Sequence, residues 1–200
     1  MENHMHSIDK YGGTWSDEDL EKFFLFCLLN RNITYIKLCD IFDWMIESYW
    51  KGTFERTFGN LSEESVARAL KWFGHRFPNQ TAKFIKENDW ITASFLKHCT
   101  RKMMVEKCKG IGMKLASMYL RNTRCEEYAV LDVHVKRFLE QGGFNPNGNY
   151  LELEEIFGNI AKRAGMTMFE LDMTIWQNYR VGAKEPLSPD QNTEQNYEKE

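Results

Sequence analysis

The chain has 200 residues, with 42% hydrophobic and 14% aromatic side chains. That is enough apolar surface for a core, and it excludes a wholly disordered chain. Net charge is −3 overall but unevenly spread. Residues 185–200 hold five acids against one base, whereas residues 97–137 hold ten bases against four acids. The basic stretch is either a solvated helix face or a footprint for a polyanion, and charge alone leaves both open. Five cysteines in no CxxC arrangement, with no secretory signal, are read as reduced thiols of a cytoplasmic protein. Neither they nor the five histidines show metal-ligand or cluster spacing, so no metal and no cofactor is expected. No apolar run is long enough to cross a membrane, so no membrane partner is expected.

In chain order, residues 1–15 are polar and are expected to form a flexible arm. Ser16 and Asp19 form a capping box that opens an apolar helix over 20–29. Helical spacing continues over 36–50, with Leu38, Ile41, Phe42 and Met45 on one face. A further helix runs from Ser62 to about Phe73 and is stopped by Gly74. Residues 81–88 and 90–100 are helical by pattern. A short helical piece over 101–109 leads into Gly110-Ile111-Gly112, and a new helix runs from 113 to about 121. Helices over 132–141, 150–165 and 167–176 complete the body, the first stopped by Gly142-Gly143. No alternating strand pattern of useful length occurs. The fold class is all-α, with nine or ten helices. The expected domains are the arm 1–15, a globular domain 16–184, and an acidic disordered tail 185–200.

Chemistry concentrates in Lys109-Gly110-Ile111-Gly112-Met113-Lys114, followed by Ala129-Val130-Leu131-Asp132-Val133-His134. A turn between two helices calls for positive φ, which glycine adopts cheaply. The first N–H groups of the second helix then face outward and suit a phosphate. Lys114 stands on the first turn of that helix, where the positive end of the macrodipole opposes an ammonium and favours a free, nucleophilic amine. Read alone, it is an ordinary surface lysine. Asp132 stands at an N-cap position. A cap and a catalytic role are compatible, because a fixed carboxylate is what a developing positive charge needs.

Together these residues resemble the helix-hairpin-helix DNA glycosylase superfamily, whose signature is Gly-x-Gly-x-Lys, then an apolar strand-like run ending in Asp-x-His. Here the matching residues are Gly110, Gly112, Lys114, Asp132 and His134. Further segments are similar to the archaeal-type 8-oxoguanine DNA glycosylase/AP lyase branch. They are His75-Arg76-Phe77-Pro78-Asn79-Gln80-Thr81-Ala82-Lys83, Tyr119-Leu120-Arg121-Asn122, and Glu170-Leu171-Asp172-Met173-Thr174-Ile175-Trp176. The resemblance implies two helical lobes around a cleft, with a helix-hairpin-helix motif. It implies a monomer acting on double-stranded DNA with a modified base flipped out. Lys114 would expel the base through a Schiff base and nick the strand by β-elimination, and Asp132 would stabilise the sugar cation. Lys109, Gly110 and Gly112 would hold phosphate, and His134 would contact DNA. Phe77 and Trp176 would stack on the base, whose pocket Met118 would line. Asn30 or Asn32 would fill the gap it leaves. Met118 stands where archaeal-type relatives carry histidine, and the chain continues past Lys184, near where those relatives end. Two alternatives therefore stand: the same chemistry on another modified base, as in a phage-defence setting, or an inactive DNA-binding module.

Overall fold

The computed structural model describes residues 11–180. It is helical, with no strand among the described residues. Eleven helices are described: α1 (Asp17–Leu29), α2 (Tyr35–Tyr49), α3 (Phe54–Phe58), α4 (Glu63–Trp72), α5 (Pro78–Glu87), α6 (Ala93–His98), α7 (Arg101–Lys107), α8 (Met113–Arg124), α9 (Val133–Gln141), α10 (Tyr150–Arg163) and α11 (Met168–Arg180). They fall into two compact units, divided after Cys125. No described helix is long and apolar enough to cross a membrane. The acidic stretch 185–200 lies outside the described residues.

The first unit is built around α1. Ser16 caps it as expected, its Oγ accepting from the Asp19 amide at 3.0 Å. From Phe23 to Leu29 every side chain is buried, so the helix is apolar all round. It packs against α2, α3, α5, α6 and α8. Its rings form a continuous set: Phe23 and Phe24 both meet Tyr119 of α8, Phe24 meets Phe54, and Phe26 meets Phe42. The last residues of the expected N-terminal arm join this unit. Gly12 N–H donates to Asn122 at 2.8 Å, and the Trp15 ring lies 5.2 Å from Phe23.

Within α1 one buried carboxylate ties three elements together. Glu21 accepts from the Phe54 amide at 2.6 Å and from the Ala93 amide at 2.7 Å, where α3 and α6 begin. Burial pushes its carboxyl above the ordinary value, and the two N–H groups hold it back. The second unit packs α9, α10 and α11 around Val135, Phe138, Leu153, Phe157, Leu171 and Ile175.

Several bounds differ from the sequence reading: α6 starts at Ala93 rather than 90, α8 runs on to Arg124 and α11 to Arg180. Helix α3 was not expected, because five residues give no periodicity; its signal is the Thr53 cap, whose Oγ1 accepts from Arg56 at 3.2 Å. Helix α5 starts at Pro78, three residues earlier than expected, with proline in its first turn.

Replacing Glu21 with alanine strands two buried N–H groups. Each such group costs about 1–3 kcal/mol, so Glu21→Ala is expected to lower unfolding free energy by about 3 kcal/mol or more. The shift of the urea midpoint at unchanged slope measures it.

Candidate active site

The hairpin between α7 and α8 is held from outside itself. Asn88, fully buried at the end of α5, donates through Nδ2 to the Lys109 carbonyl at 2.8 Å and to Phe84 at 2.7 Å. Its Oδ1 accepts from the Lys109 amide at 3.0 Å. Arg31 adds a third hold: Nη1 donates to the Gly110 carbonyl at 3.3 Å, and its guanidinium lies 4.7 Å over the Phe84 ring.

The two hairpin glycines do different jobs. Gly110 has φ +80°, and a Cβ there would come within 2.5 Å of the Phe84 ring. Only glycine fits on both counts. Gly112 corrects the expectation of positive φ at both positions. Its φ is −95°, it is the N-cap of α8, and no described atom lies within 4 Å of the place a Cβ would occupy. It leaves open space at the helix N-terminus.

Lys114 follows on the first turn of α8, half-buried. It lies close enough to Cys27 of α1 for its positive charge to oppose the burial that pushes that thiol up. One turn further along α8, Met118 meets Asn30, whose Nδ2 points at the thioether at 3.7 Å. Asn30 is also the C-cap of α1. Asn32 sits exposed in the loop beyond, in the left-handed region at φ 53°. Lys109 is exposed on the hairpin.

Phe77 stands before α5, 39% exposed, with the Arg76 guanidinium 5.6 Å from its ring. Its backbone is fixed by His75, which the sequence reading treated only as part of a motif. His75 Nδ1 accepts from the Phe77 amide at 3.1 Å, so Nε2 carries the proton given to the Leu29 carbonyl at 3.0 Å. Burial lowers the imidazole's proton affinity, and Arg31 and Lys37 add to the effect against the bond to Leu29.

In the second unit, Asp132 is the N-cap of α9. Its Oδ1 accepts from both His134 and Val135 amides, at 2.8 and 2.9 Å. One oxygen carries the cap, and the other is not spent on it. The run before it belongs to no helix and no strand. Glu154 accepts from the Ala129 amide at 3.0 Å, and the Tyr150 hydroxyl donates to the Ala129 carbonyl at 2.7 Å. Trp176 is half-buried on α11. Lys109, Gly110, Gly112, Lys114, Met118, Asn30, Asn32 and Phe77 thus belong to the first unit, and Asp132, His134 and Trp176 to the second. Among the described residues, no three His, Cys, Asp or Glu side chains gather as a metal site.

A short helix, a latched glycine turn and a helix opening onto a lysine make a helix-hairpin-helix motif in an all-helical chain. A family model described as 8-oxoguanine DNA glycosylase matches residues 1–166. A relative from Korarchaeum cryptofilum, named 8-oxoguanine DNA glycosylase/AP lyase, is 33% identical over 176 residues, 80% of each chain. The crystal structure of the 8-oxoguanine DNA glycosylase of Thermotoga maritima has a TM-score of 0.68 at 31% identity, covering 84% of this chain and 81% of that one. That of the Methanocaldococcus jannaschii enzyme, in complex with DNA containing 8-oxoguanine, has a TM-score of 0.67 at 27% identity, covering 86% and 84%. The chain belongs to the 8-oxoguanine DNA glycosylase family.

Two predictions test this geometry. Gly110→Ala meets both a left-handed φ and the Phe84 ring, and is expected to destabilise the chain by about 2 kcal/mol or more. Gly112→Ala should stay within about 1 kcal/mol of the parent, yet weaken duplex DNA binding, because its methyl fills the open space at the helix end. Thermal melts paired with DNA titrations separate the two. His75 sets a pH dependence. Its folded proton affinity lies below that of the unfolded chain, so its stabilising contribution is present above the ordinary histidine value, about 6.5, and is lost as pH falls through the lower folded value. Unfolding free energy should fall more steeply on acidification from pH ~6.5 in the parent than in His75→Gln. Parallel slopes would remove His75 as the cause.

Proposed function

We propose that this chain is a bifunctional DNA glycosylase/AP lyase that excises 8-oxoguanine from double-stranded DNA. The observation that carries the reading is Lys114: a half-buried lysine on the first turn of α8, directly behind a hairpin that Asn88 and Arg31 hold still. Relatives bearing that activity in their names span most of the chain.

In the proposed reaction the Lys114 amine attacks C1′ of the flipped nucleotide. The C1′–N9 bond breaks, and the base leaves with its electron pair and a proton. Opening of the sugar ring gives an iminium between Nζ and C1′. Loss of a C2′ proton then expels the 3′ phosphate by β-elimination, and water hydrolyses the imine to return the lysine. Asp132 supports positive charge on the sugar and accepts a proton. A carboxylate pinned through one oxygen suits this, since it need not reorganise as charge develops.

Phosphate is assigned to the Gly110 and Gly112 amides and to Lys109, with His134 as a further DNA contact. Phe77 and Trp176 are assigned to stack on the base, a contact worth about 1–3 kcal/mol per base. Met118 is assigned to the base pocket, and Asn30 or Asn32 to the space the base vacates. The Asn30–Met118 contact supports Asn30 here, since it sets a fixed amide beside the pocket residue. We place the protein in the cytoplasm, as a monomer.

Borohydride reduction on duplex DNA containing 8-oxoguanine tests the reading. The parent chain is expected to give a covalent adduct and Lys114→Gln none. An adduct on abasic DNA alone would keep the lyase step and move the substrate to another modified base. No adduct on either duplex would leave an inactive binding module.

A further inference from the structure

Helix α11 carries two aromatic residues about one turn apart, Trp176 and Tyr179. Tyr179 has no part in the reaction described above, yet it is bound on three sides by α9. Its ring lies against the His134 imidazole, with centroids 5.3 Å apart and planes 24° from parallel. The Arg137 guanidinium lies 5.5 Å from the same ring. Its hydroxyl donates to Gln141 Oε1 at 2.9 Å. His134, Arg137 and Gln141 follow one another at spacings of three and four, so they form a single stripe along α9.

His134 is itself fixed at its backbone by Asp132, whose Oδ1 accepts from the His134 amide at 2.8 Å. Its Nδ1 is buried with no hydrogen-bond partner, so this side of the ring is held by packing alone. The contacts therefore run from Asp132 through His134 to Tyr179, and by one helical turn to Trp176. The apolar core beneath holds α11 against α9, but it does not fix rotation and sliding as directional contacts do. A ring stack, a cation over a face and one directed hydrogen bond at the end of α11 supply that register.

We propose that Tyr179 is a positioning residue, which sets Trp176 in register with the helix that Asp132 caps. This rests on the base-stacking role given to Trp176. Its consequence is a split between two reactions of one enzyme. Excision of an intact base needs the stacking ring in place. Schiff-base formation at a site that already lacks its base does not.

The test uses the full chain with Tyr179→Ala, Tyr179→Leu and Tyr179→Phe. Single-turnover excision is measured on duplex DNA containing 8-oxoguanine, and borohydride trapping on the same duplex with an abasic site. Tyr179→Ala and Tyr179→Leu are expected to slow excision about tenfold or more, the scale of one lost stacking contact. Trapping should change less than about threefold on that scale. Tyr179→Phe, which keeps the ring between His134 and Arg137, should recover most of the excision rate. Leucine retains apolar volume, so it guards against a fold lost in the alanine variant. Equal loss in both reactions by a folded Tyr179→Leu overturns the proposal, because it marks a purely structural role. Unchanged excision in both truncations overturns it as well. A parent chain that traps on abasic DNA but releases no 8-oxoguanine overturns the substrate reading instead, and the same ratio is then read with the modified base that the parent does release.

Discussion

The Asn88 side-chain amide closes a ring of hydrogen bonds around the Lys109 peptide, and the candidate chemistry of the first unit hangs on it. Neither hairpin helix is long: α7 has seven residues and α8 twelve. Helices of this length hold position through tertiary contacts rather than intrinsic propensity. A buried primary amide is well suited to the task. It satisfies the N–H and the C=O of one residue at once, and so holds the two peptide groups on either side of the Lys109 Cα. Arg31 and Phe84 complete the hold by closing on Gly110, so the first N–H groups of α8 and the Lys114 stem have a defined direction. Preorganised donors of this kind bind an anion without first having to order themselves.

The same economy recurs wherever the chain departs from regular structure. Glu21 closes the starts of α3 and α6 from inside α1. His75 joins the end of α1 to Phe77. Tyr150 and Glu154 take up the C=O and N–H of Ala129, in the irregular run before Asp132. In a fold without described strands, these junctions have no sheet to satisfy them, and polar side chains set at or below the surface do so instead. Such residues are singly placed, and the partners they reach across the fold lie 21 to 72 positions away.

That separation explains what could be read from the sequence. Local signals were legible: the Ser16 cap, the apolar run of α1, the turn at Gly110 and the Asp132 cap all depend on residues within four positions of one another. The motif residues were legible too, since their spacing resembles that of a known family. Asn88, Arg31 and Glu21 were not, because an isolated polar residue in sequence carries no mark of the backbone group it will meet. Gly112 shows a subtler limit. Glycine was read as a demand for positive φ, yet here it is an extended N-cap whose missing side chain leaves space.

The catalysis proposed for Lys114 and Asp132 imposes one more constraint. The two groups must be rigid in direction, but the base they act on must be able to arrive. The chain meets the first need with backbone anchorage: Lys114 on a helix whose entry is latched, Asp132 through an oxygen that caps a helix. The second need fits the shallower setting of the aromatic residues proposed to stack on the base. Phe77 is 39% exposed and Trp176 half-buried, whereas Tyr119 and Phe24 inside α1's packing are completely enclosed. Rings destined for a core gain most by full burial. A ring that must receive a planar ligand keeps one face available and draws its orientation from its own helix or turn. His75 supplies that orientation for Phe77. On α11 the corresponding hold is the stripe of His134, Arg137 and Gln141 around Tyr179, which is why a residue remote from the reacting atoms is the one whose loss should separate base capture from sugar chemistry.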